Sequence, residues 1–193
     1  MTKVLKIAII LGSTRQGRAG ENVGKLVYSL AQKRKDFKVE YVDLLEWNIS
    51  YINDPTPPST VTGKYSDPKI QKWAEKIASF DGFIFVTPEY NHGYSAVLKN
   101  ALDVIYKEWN NKVVGFVSYG GIVGGARSVE ALRLVSIELQ MVPIREALHI
   151  PIIWDAFDEK GNLKDATFEK RLESMLNQLS WWTKALKQAR ENN

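Results

Sequence analysis

The 193-residue sequence has no cysteine and two histidines, His92 and His149. The absence of cysteine excludes a thiol nucleophile, a thiolate metal ligand and a disulfide, and it is consistent with a reducing, cytoplasmic location. Two histidines are too few to build a structural zinc site without cysteine, so we expect no bound metal ion.

Long apolar runs are also missing. The N-terminal apolar stretch around residues 7–11 is far shorter than the ~20 residues of a membrane span. No small-residue cleavage site follows it, so we interpret it as a first strand and not as a signal peptide. We therefore expect no membrane partner.

Charge of one sign is not concentrated either. The chain carries 26 Lys and Arg against 22 Asp and Glu, a net charge of +4, and it has no dense basic stripe. This mild excess is compatible with anionic small molecules and does not indicate a nucleic-acid partner.

Short apolar runs alternate with amphipathic helical segments along the chain. Strands are predicted at residues 4–11, 38–43, 83–86, 113–118 and 143–150. Helices are predicted between them, and a last helix begins near Asp165. This alternation implies a parallel sheet with helices on both faces. Five strands favour the flavodoxin-like order 2-1-3-4-5, a three-layer α/β sandwich formed by a single domain of residues 1–193.

Residues 44–66 break this pattern. Pro55, Pro57, Pro58 and Gly63 mark a long surface excursion between the second strand and the next helix. Connections of this length are usually functional lids or mobile segments.

The loop after the first strand, residues 12–20, leads into a helix. Free backbone N–H groups and the helix dipole make such a turn a ready anion site. Ser13 and Thr14 add hydroxyl donors, and Arg15 and Arg18 add guanidinium groups suited to phosphate. The alternative is an ordinary glycine-rich turn with solvated arginines.

The nucleotide-binding motifs that this loop lacks indicate which phosphate compound it would bind. Gly12 and Gly17 have the spacing of a Walker loop, but Arg18-Ala19 stands where Lys-Ser/Thr is needed, which leaves a small-molecule kinase poorly supported. Thr14 occupies the second glycine position of the dinucleotide fingerprint. A monophosphate such as FMN needs only the donors that are present.

The loops after the third and fourth strands could hold a flat ring. Tyr90 and Tyr94 can form a wall, and the backbone of residues 90–93 can donate to the polar edge of the ring. Residues 119–125 contain four glycines, which allow close backbone approach from the other side.

A hydrolase is a weaker interpretation. Gly93-Tyr94-Ser95 begins a G-x-S-x-G nucleophile elbow, but Val97 replaces the second glycine. His149 could serve as the base, whereas Ser95 is better interpreted as a helix N-cap. His92 is either a proton donor near substrate or a polar loop residue without a special role.

Residues 12–18, 87–93, 98–103 and 120–127 resemble the NADPH-dependent FMN reductase family, which includes chromate, quinone and azo-dye reductases. The motif P-E-Y-N at residues 88–91 is specific to this resemblance. One departure is Ser95, where many members have proline before the third helix.

The resemblance implies three groups of FMN-binding residues. The first loop would grip the FMN phosphate through Ser13, Arg15 and Arg18, beside Thr14. The second loop would pack beside the isoalloxazine ring and donate to its N5/O4 edge, and the third would hold its pyrimidine end. The residues of these two loops are Pro88, Glu89, Tyr90, Asn91, Ser118, Tyr119, Gly120 and Gly121.

The activity implied by the resemblance is that of an NAD(P)H oxidoreductase. NADPH or NADH would pass hydride to FMN, and a quinone, azo compound, free flavin or chromate would take its place and be reduced, without a catalytic side chain. The family also implies a homodimer or homotetramer, with Tyr94, Trp109 and residues 44–66 as interface or lid. The alternative is a flavodoxin-like electron carrier or redox-responsive FMN-binding protein without turnover.

Overall fold

The computed structural model describes residues 4–192 of the chain. A five-stranded parallel sheet runs through them in the order β2-β1-β3-β4-β5, as predicted. The strands are β1 Leu5–Leu11, β2 Phe37–Asp43, β3 Gly82–Pro88, β4 Val113–Tyr119 and β5 Val142–Ile150. The helices are α1 Gly20–Ala31, α2 Leu44–Trp47, α3 Pro68–Ala78, α4 Ala96–Asp103, α5 Ala126–Glu138 and α6 Thr167–Glu191.

The central strands are mainly apolar because both faces of the sheet are covered. In β3, Phe83 and Phe85 enter one core, whereas Ile84 and Val86 enter the other. This separation follows from the two-residue period of a strand. Helices α3, α4 and α5 cover the first face, and α1 and α6 cover the second. The sheet is therefore held between two helical layers.

The α3–α5 side contains a cluster of large aromatic side chains. Trp73 and Trp109 are both fully buried, and their indole N–H groups donate to the carbonyl oxygens of Ala101 and Leu102. The sequence-based placement of Trp109 at an interface or lid is therefore wrong. Tyr94 also packs against this core.

On the other face, two glycines of α1 make room for tyrosines of the sheet. A Cβ atom on Gly20 would collide with the Tyr119 hydroxyl, and a Cβ atom on Gly24 would lie 2.5 Å from the Tyr41 hydroxyl. Alanine at either position would displace a ring. The two glycines thus allow α1 to pack closely on β2 and β4.

The segment of residues 44–66 is more ordered than its sequence suggested. It contains α2 and a 3-10 turn at Pro58–Thr60. The Asn100 side chain donates to the carbonyl oxygens of Ile49 and Ser50, and the Tyr65 hydroxyl donates to Glu108. These contacts hold the segment against α4 and the turn that follows it.

Of the helices that the structure describes between residues 4 and 192, none is long and apolar enough to cross a membrane.

Candidate functional site

A cleft of about 310 Å³ opens at the carboxyl edge of the sheet. Four connections form it, those that follow β1, β3, β4 and β5. Its lining residues are Ser13, Arg15, Gly17, Arg18, Ala19, Pro88, Glu89, Tyr90, Tyr119, Gly120, Gly121, Ile153 and Trp154. A parallel α/β sheet binds ligands at this edge, where the strand order reverses beside its first strand.

The loop after β1 presents unpaired backbone donors. No backbone N–H of residues 13–19 donates to an acceptor within residues 4–192. The helix that follows, α1, has Ala19 at its N-cap and no side-chain cap. The loop and the helix start therefore combine free N–H groups with the positive end of a helix dipole, which favours an anion.

Arg18 is committed to the protein. Its guanidinium donates to both carboxylate oxygens of Asp43 and to the carbonyl oxygen of Ser13. Burial opposes the charge on Arg18, but the hydrogen bond and charge of Asp43 outweigh it and raise the pKa of Arg18. Arg18 thus fixes the loop to the end of β2 and does not project a free charge.

Arg15, in contrast, is exposed and makes no ion pair with residues 4–192. Its guanidinium carbon lies 5.8 Å from the centre of the Tyr90 ring, within range of a cation–π contact. The Tyr90 hydroxyl lies 3.0 Å from the buried Ser13 hydroxyl. Arg15 is therefore the uncompensated cation of the cleft loop.

Tyr119 places a hydroxyl without a hydrogen-bond partner at the same end of the cleft as Ser13 and Arg15. Its side chain is 5% exposed, and within residues 4–192 its hydroxyl has no hydrogen-bond partner. It rests against Gly20, the first residue of α1. Burial raises the pKa of Tyr119 against the opposing effect of the nearby Ser13 hydroxyl, so the phenol stays protonated and can donate. The sequence analysis had placed Tyr119 at the ring end of the ligand, whereas its hydroxyl lies beside the helix start.

The loop after β3 is a tight hairpin. Tyr90 and Gly93 exchange two backbone hydrogen bonds, of 2.8 and 3.0 Å. Asn91 and His92 occupy the turn with φ of +50° and +66°, the left-handed conformation of a type I′ turn. Both are exposed and lie outside the residues that line the cleft.

Glu89 connects this hairpin to the neighbouring helix. Its carboxylate accepts from the backbone N–H of Arg127 at 3.1 Å and from the Arg127 guanidinium at 2.9 Å. The first turn of α5 therefore has a carboxylate cap that comes from the loop after β3. Glu89 lines the cleft, and its carboxylate holds two elements together.

Ser118 lies behind the cleft and not in it. It is fully buried, its hydroxyl donates to the Gly124 carbonyl at 2.8 Å, and it lies 2.7 Å from His149 Nδ1. Burial, followed by the charge of Arg133, lowers the pKa of His149. These hydrogen bonds hold the loop after β4 in place. Ser95, the serine considered as a nucleophile, caps α4 as predicted.

The structure thus brings together nine of the predicted site residues and leaves Thr14, Asn91 and Ser118 outside the lining of the cleft. Ile153 and Trp154 line the cleft but were not predicted from the sequence. They follow β5, whose carboxyl end lies at the same edge of the sheet, so their position after a predicted strand could have identified them.

A larger groove of about 510 Å³ lies between α1 and α6. Lysine, arginine and glutamate side chains are interspersed along it, and the described residues that line it offer no comparable row of unpaired donors.

The strand order, with a cleft that opens beside the end of β1, defines a flavodoxin-like protein. The model of the NADPH-dependent FMN reductase family matches residues 5–155. The chain belongs to this family.

Curated relatives carry related names. An NAD(P)H-dependent FMN reductase of Schizosaccharomyces pombe is 38% identical over 147 residues, which are 76% of this chain and 74% of that protein. An NADPH:quinone oxidoreductase of Arabidopsis thaliana is 30% identical over 190 residues, which are 93% of this chain and 92% of that protein.

Among solved structures, the flavoenzyme NAD(P)H:(acceptor) oxidoreductase FerB of Paracoccus denitrificans superposes with a TM-score of 0.75 at 21% identity. The match covers 94% of this chain and 98% of FerB. At this identity the likeness shows the fold alone.

Membership of this family confirms an oxidoreductase that uses FMN and NAD(P)H. It disfavours the electron carrier without turnover, the kinase and the hydrolase.

Proposed function

We propose that the cleft binds FMN and that the protein reduces quinones with electrons from NAD(P)H. The observation that carries this proposal is the set of donors at the end of β1. Unpaired N–H groups of residues 13–19, the Ser13 hydroxyl, the orphan Tyr119 hydroxyl and the free Arg15 guanidinium all border one end of the cleft. Such a donor set suits a terminal phosphate.

The rest of the cleft has the character required by the flavin ring. Pro88 and Tyr90 offer apolar and aromatic surface, and Gly120 and Gly121 allow a ring to approach the backbone. The loops therefore provide a polar end and a flat end in one cleft. When bound, FMN supplies hydride transfer between NAD(P)H and a second substrate.

The side chains have supporting tasks in this proposal. Arg18 and Asp43 hold the phosphate loop, Glu89 and Arg127 hold the ring loop, and Arg15 compensates the phosphate charge. None of them needs to exchange a proton with substrate. We accordingly assign no catalytic side chain, and we leave His92 without a role.

The acceptor is proposed at two levels. Quinones come first because relatives at 28–30% identity are named quinone reductases or quinone oxidoreductases. Azo compounds, free flavin and chromate stay predictions from the sequence resemblance. We also propose a single FMN-binding domain of residues 1–193, a homodimer or homotetramer and a cytoplasmic location.

The test of the cofactor is the absorption spectrum of the purified protein after incubation with FMN and removal of excess flavin. The expected result is a stoichiometric flavin band that bleaches on anaerobic addition of NADPH and returns when a quinone is added. A protein that retains no flavin, or a flavin band that NADPH does not bleach, contradicts the proposal.

Arg15→Ala tests the phosphate end. Loss of a charge-assisted hydrogen bond should weaken FMN binding by about tenfold or more. Binding of riboflavin, which lacks the phosphate, should change much less. The control is Arg145→Ala, because the Arg145 side chain is 88% exposed on β5 and does not line the cleft. Equal affinity of wild type and Arg15→Ala for FMN would contradict the phosphate assignment.

A further inference from the structure

Trp154 is an exposed indole on the rim of the cleft. Its side chain is 75% exposed, whereas Trp73 and Trp109 are fully buried. Within residues 4–192 its indole N–H has no hydrogen-bond partner and its ring packs against no other aromatic ring. Tryptophan usually buries most of its surface, so the folded chain does not account for this residue.

The backbone that carries Trp154 is nevertheless firmly held. The N–H groups of Ile152 and Ile153 each donate to a carbonyl of the loop after β4, Gly121 and Gly120 respectively, at 3.0 Å. Ile152 adopts φ +46°, a left-handed conformation that is costly for a β-branched residue. The indole is therefore presented at a defined place and not on a loose loop.

The sheet order decides which end of the cleft Trp154 occupies. β5 is three strands away from β1, or about 14 Å at the spacing of a parallel sheet. The unpaired donors follow β1, so the backbone of Trp154 lies at the opposite end of the cleft, beyond the loops of β3 and β4. A ligand with its phosphate at residues 13–19 directs its ring system toward this side.

We propose that Trp154 is a specificity-determining residue that stacks on the planar ring of the exchanging substrate, the quinone or the nicotinamide. This inference rests on the proposed function and extends it. If Trp154 packed against the tightly bound flavin, its indole would lie on the inner wall of the cleft, with Pro88 and Tyr90. An indole on the outer rim remains available to a ring that enters and leaves at each turnover.

The proposal predicts selectivity for flat acceptors. Trp154→Ala should raise KM for a naphthoquinone by about tenfold, equivalent to about 1.4 kcal/mol of lost stacking. Its kcat should change less than twofold, and Trp154→Phe should restore most of the loss. The KM for ferricyanide, an octahedral ion that cannot stack, should change less than threefold. Trp181→Ala is the matched control, since Trp181 is 65% exposed on α6 and does not line the cleft.

Two further measurements do not depend on turnover. The affinity of Trp154→Ala for FMN, followed by quenching of flavin fluorescence, should match that of wild type. The affinity of the FMN-loaded variant for NADP⁺, followed by the flavin difference spectrum, should fall. Trp154 is exposed, so the variant should fold, and its circular dichroism spectrum checks this.

Three results would overturn the proposal. A fall in FMN affinity would make Trp154 part of the flavin wall, and equal losses for naphthoquinone and ferricyanide would exclude stacking. A change of subunit number in Trp154→Ala would assign the indole to a contact between copies. A wild-type protein that binds no FMN would instead defeat the proposed function itself.

Discussion

At the scale of single residues, two buried tyrosine hydroxyls have no hydrogen-bond partner within residues 4–192. Tyr41 and Tyr119 both press on α1, yet Tyr119 lines the cleft and Tyr41 does not. A buried hydroxyl without a hydrogen bond costs free energy. For Tyr119 the proposed phosphate would supply the missing acceptor, whereas nothing in the structure explains it for Tyr41.

Tyr119→Phe separates these two cases. Removal of the hydroxyl should leave the free energy of unfolding of the apoprotein unchanged or raise it by up to about 1 kcal/mol. FMN affinity should fall by about 2- to 10-fold, the value of one hydrogen bond. Chemical denaturation and a flavin titration measure the two quantities.

Tyr41→Phe is the control for that substitution. Burial raises the pKa of Tyr41 to about 12, so its phenol is also neutral at ordinary pH. We expect the same effect on stability as for Tyr119→Phe but no change in FMN affinity. If both variants lost affinity equally, a shift of α1 and not a lost hydrogen bond would be responsible.

At the scale of elements, Asp36 ties the start of β2 to α6. Its carboxylate accepts from Arg34 at 3.0 Å, from the Ser180 hydroxyl at 2.6 Å and from Lys184 at 3.3 Å. Burial opposes ionisation of Asp36, but the hydrogen bonds of Arg34 and Ser180 exceed that cost and lower its pKa to about 2. The ordinary value for aspartate is 3.8.

This pKa predicts an acid-sensitive contribution to stability. Because the folded-state pKa lies below the unfolded one, the stabilisation is complete above about pH 4 and is lost as the pH falls toward 2. Asp36→Asn should therefore be less stable than wild type at pH 7, and the difference should narrow below pH 4. Urea denaturation at several pH values measures this. Glu159→Gln, at an exposed position, is the control and should parallel wild type; a constant gap between Asp36→Asn and wild type would contradict the assignment.

The helices and strands were predictable from the sequence where they are buried in the core. β1, β3 and β4 are covered on both faces, so their sequences are mainly apolar runs bounded by turn residues. The short helix α2 was missed because four residues are too few to show a helical period. Trp109 was misplaced because an aromatic residue next to polar neighbours gives no sign of the distant helices that bury it.

At the scale of the whole molecule, folding and cofactor binding are coupled. A ligand that binds the native state alone raises stability by about 2.7 kcal/mol at a concentration of 100 times its Kd. FMN should therefore raise the melting temperature. Riboflavin at the same concentration should raise it less, because the donors of residues 13–19 would have no phosphate to bind.

The shift in melting temperature is measured by calorimetry, or by differential scanning fluorimetry at wavelengths where flavin does not interfere. Inorganic phosphate alone should give a small shift and should compete with FMN. Equal shifts from FMN and riboflavin would contradict a phosphate site at the end of β1.

The position of the cleft was predictable from topology, since the reversal of strand order beside β1 can be inferred from the βα pattern alone. The partners of the charged residues were not. Arg18 and Asp43 are 25 residues apart, and Glu89 and Arg127 are 38 apart, so no local pattern links them. Such pairs arise only when the sheet brings its loops side by side.

The ion pair between Arg18 and Asp43 has a consequence for the kinetics of cofactor uptake. The loop at the end of β1 is clamped in the apoprotein, so its conformational entropy is lost during folding and not when FMN arrives. Holoenzyme formation should then be a single fast bimolecular step without a slow rearrangement, and differences in affinity among variants should appear mainly in how quickly the flavin departs.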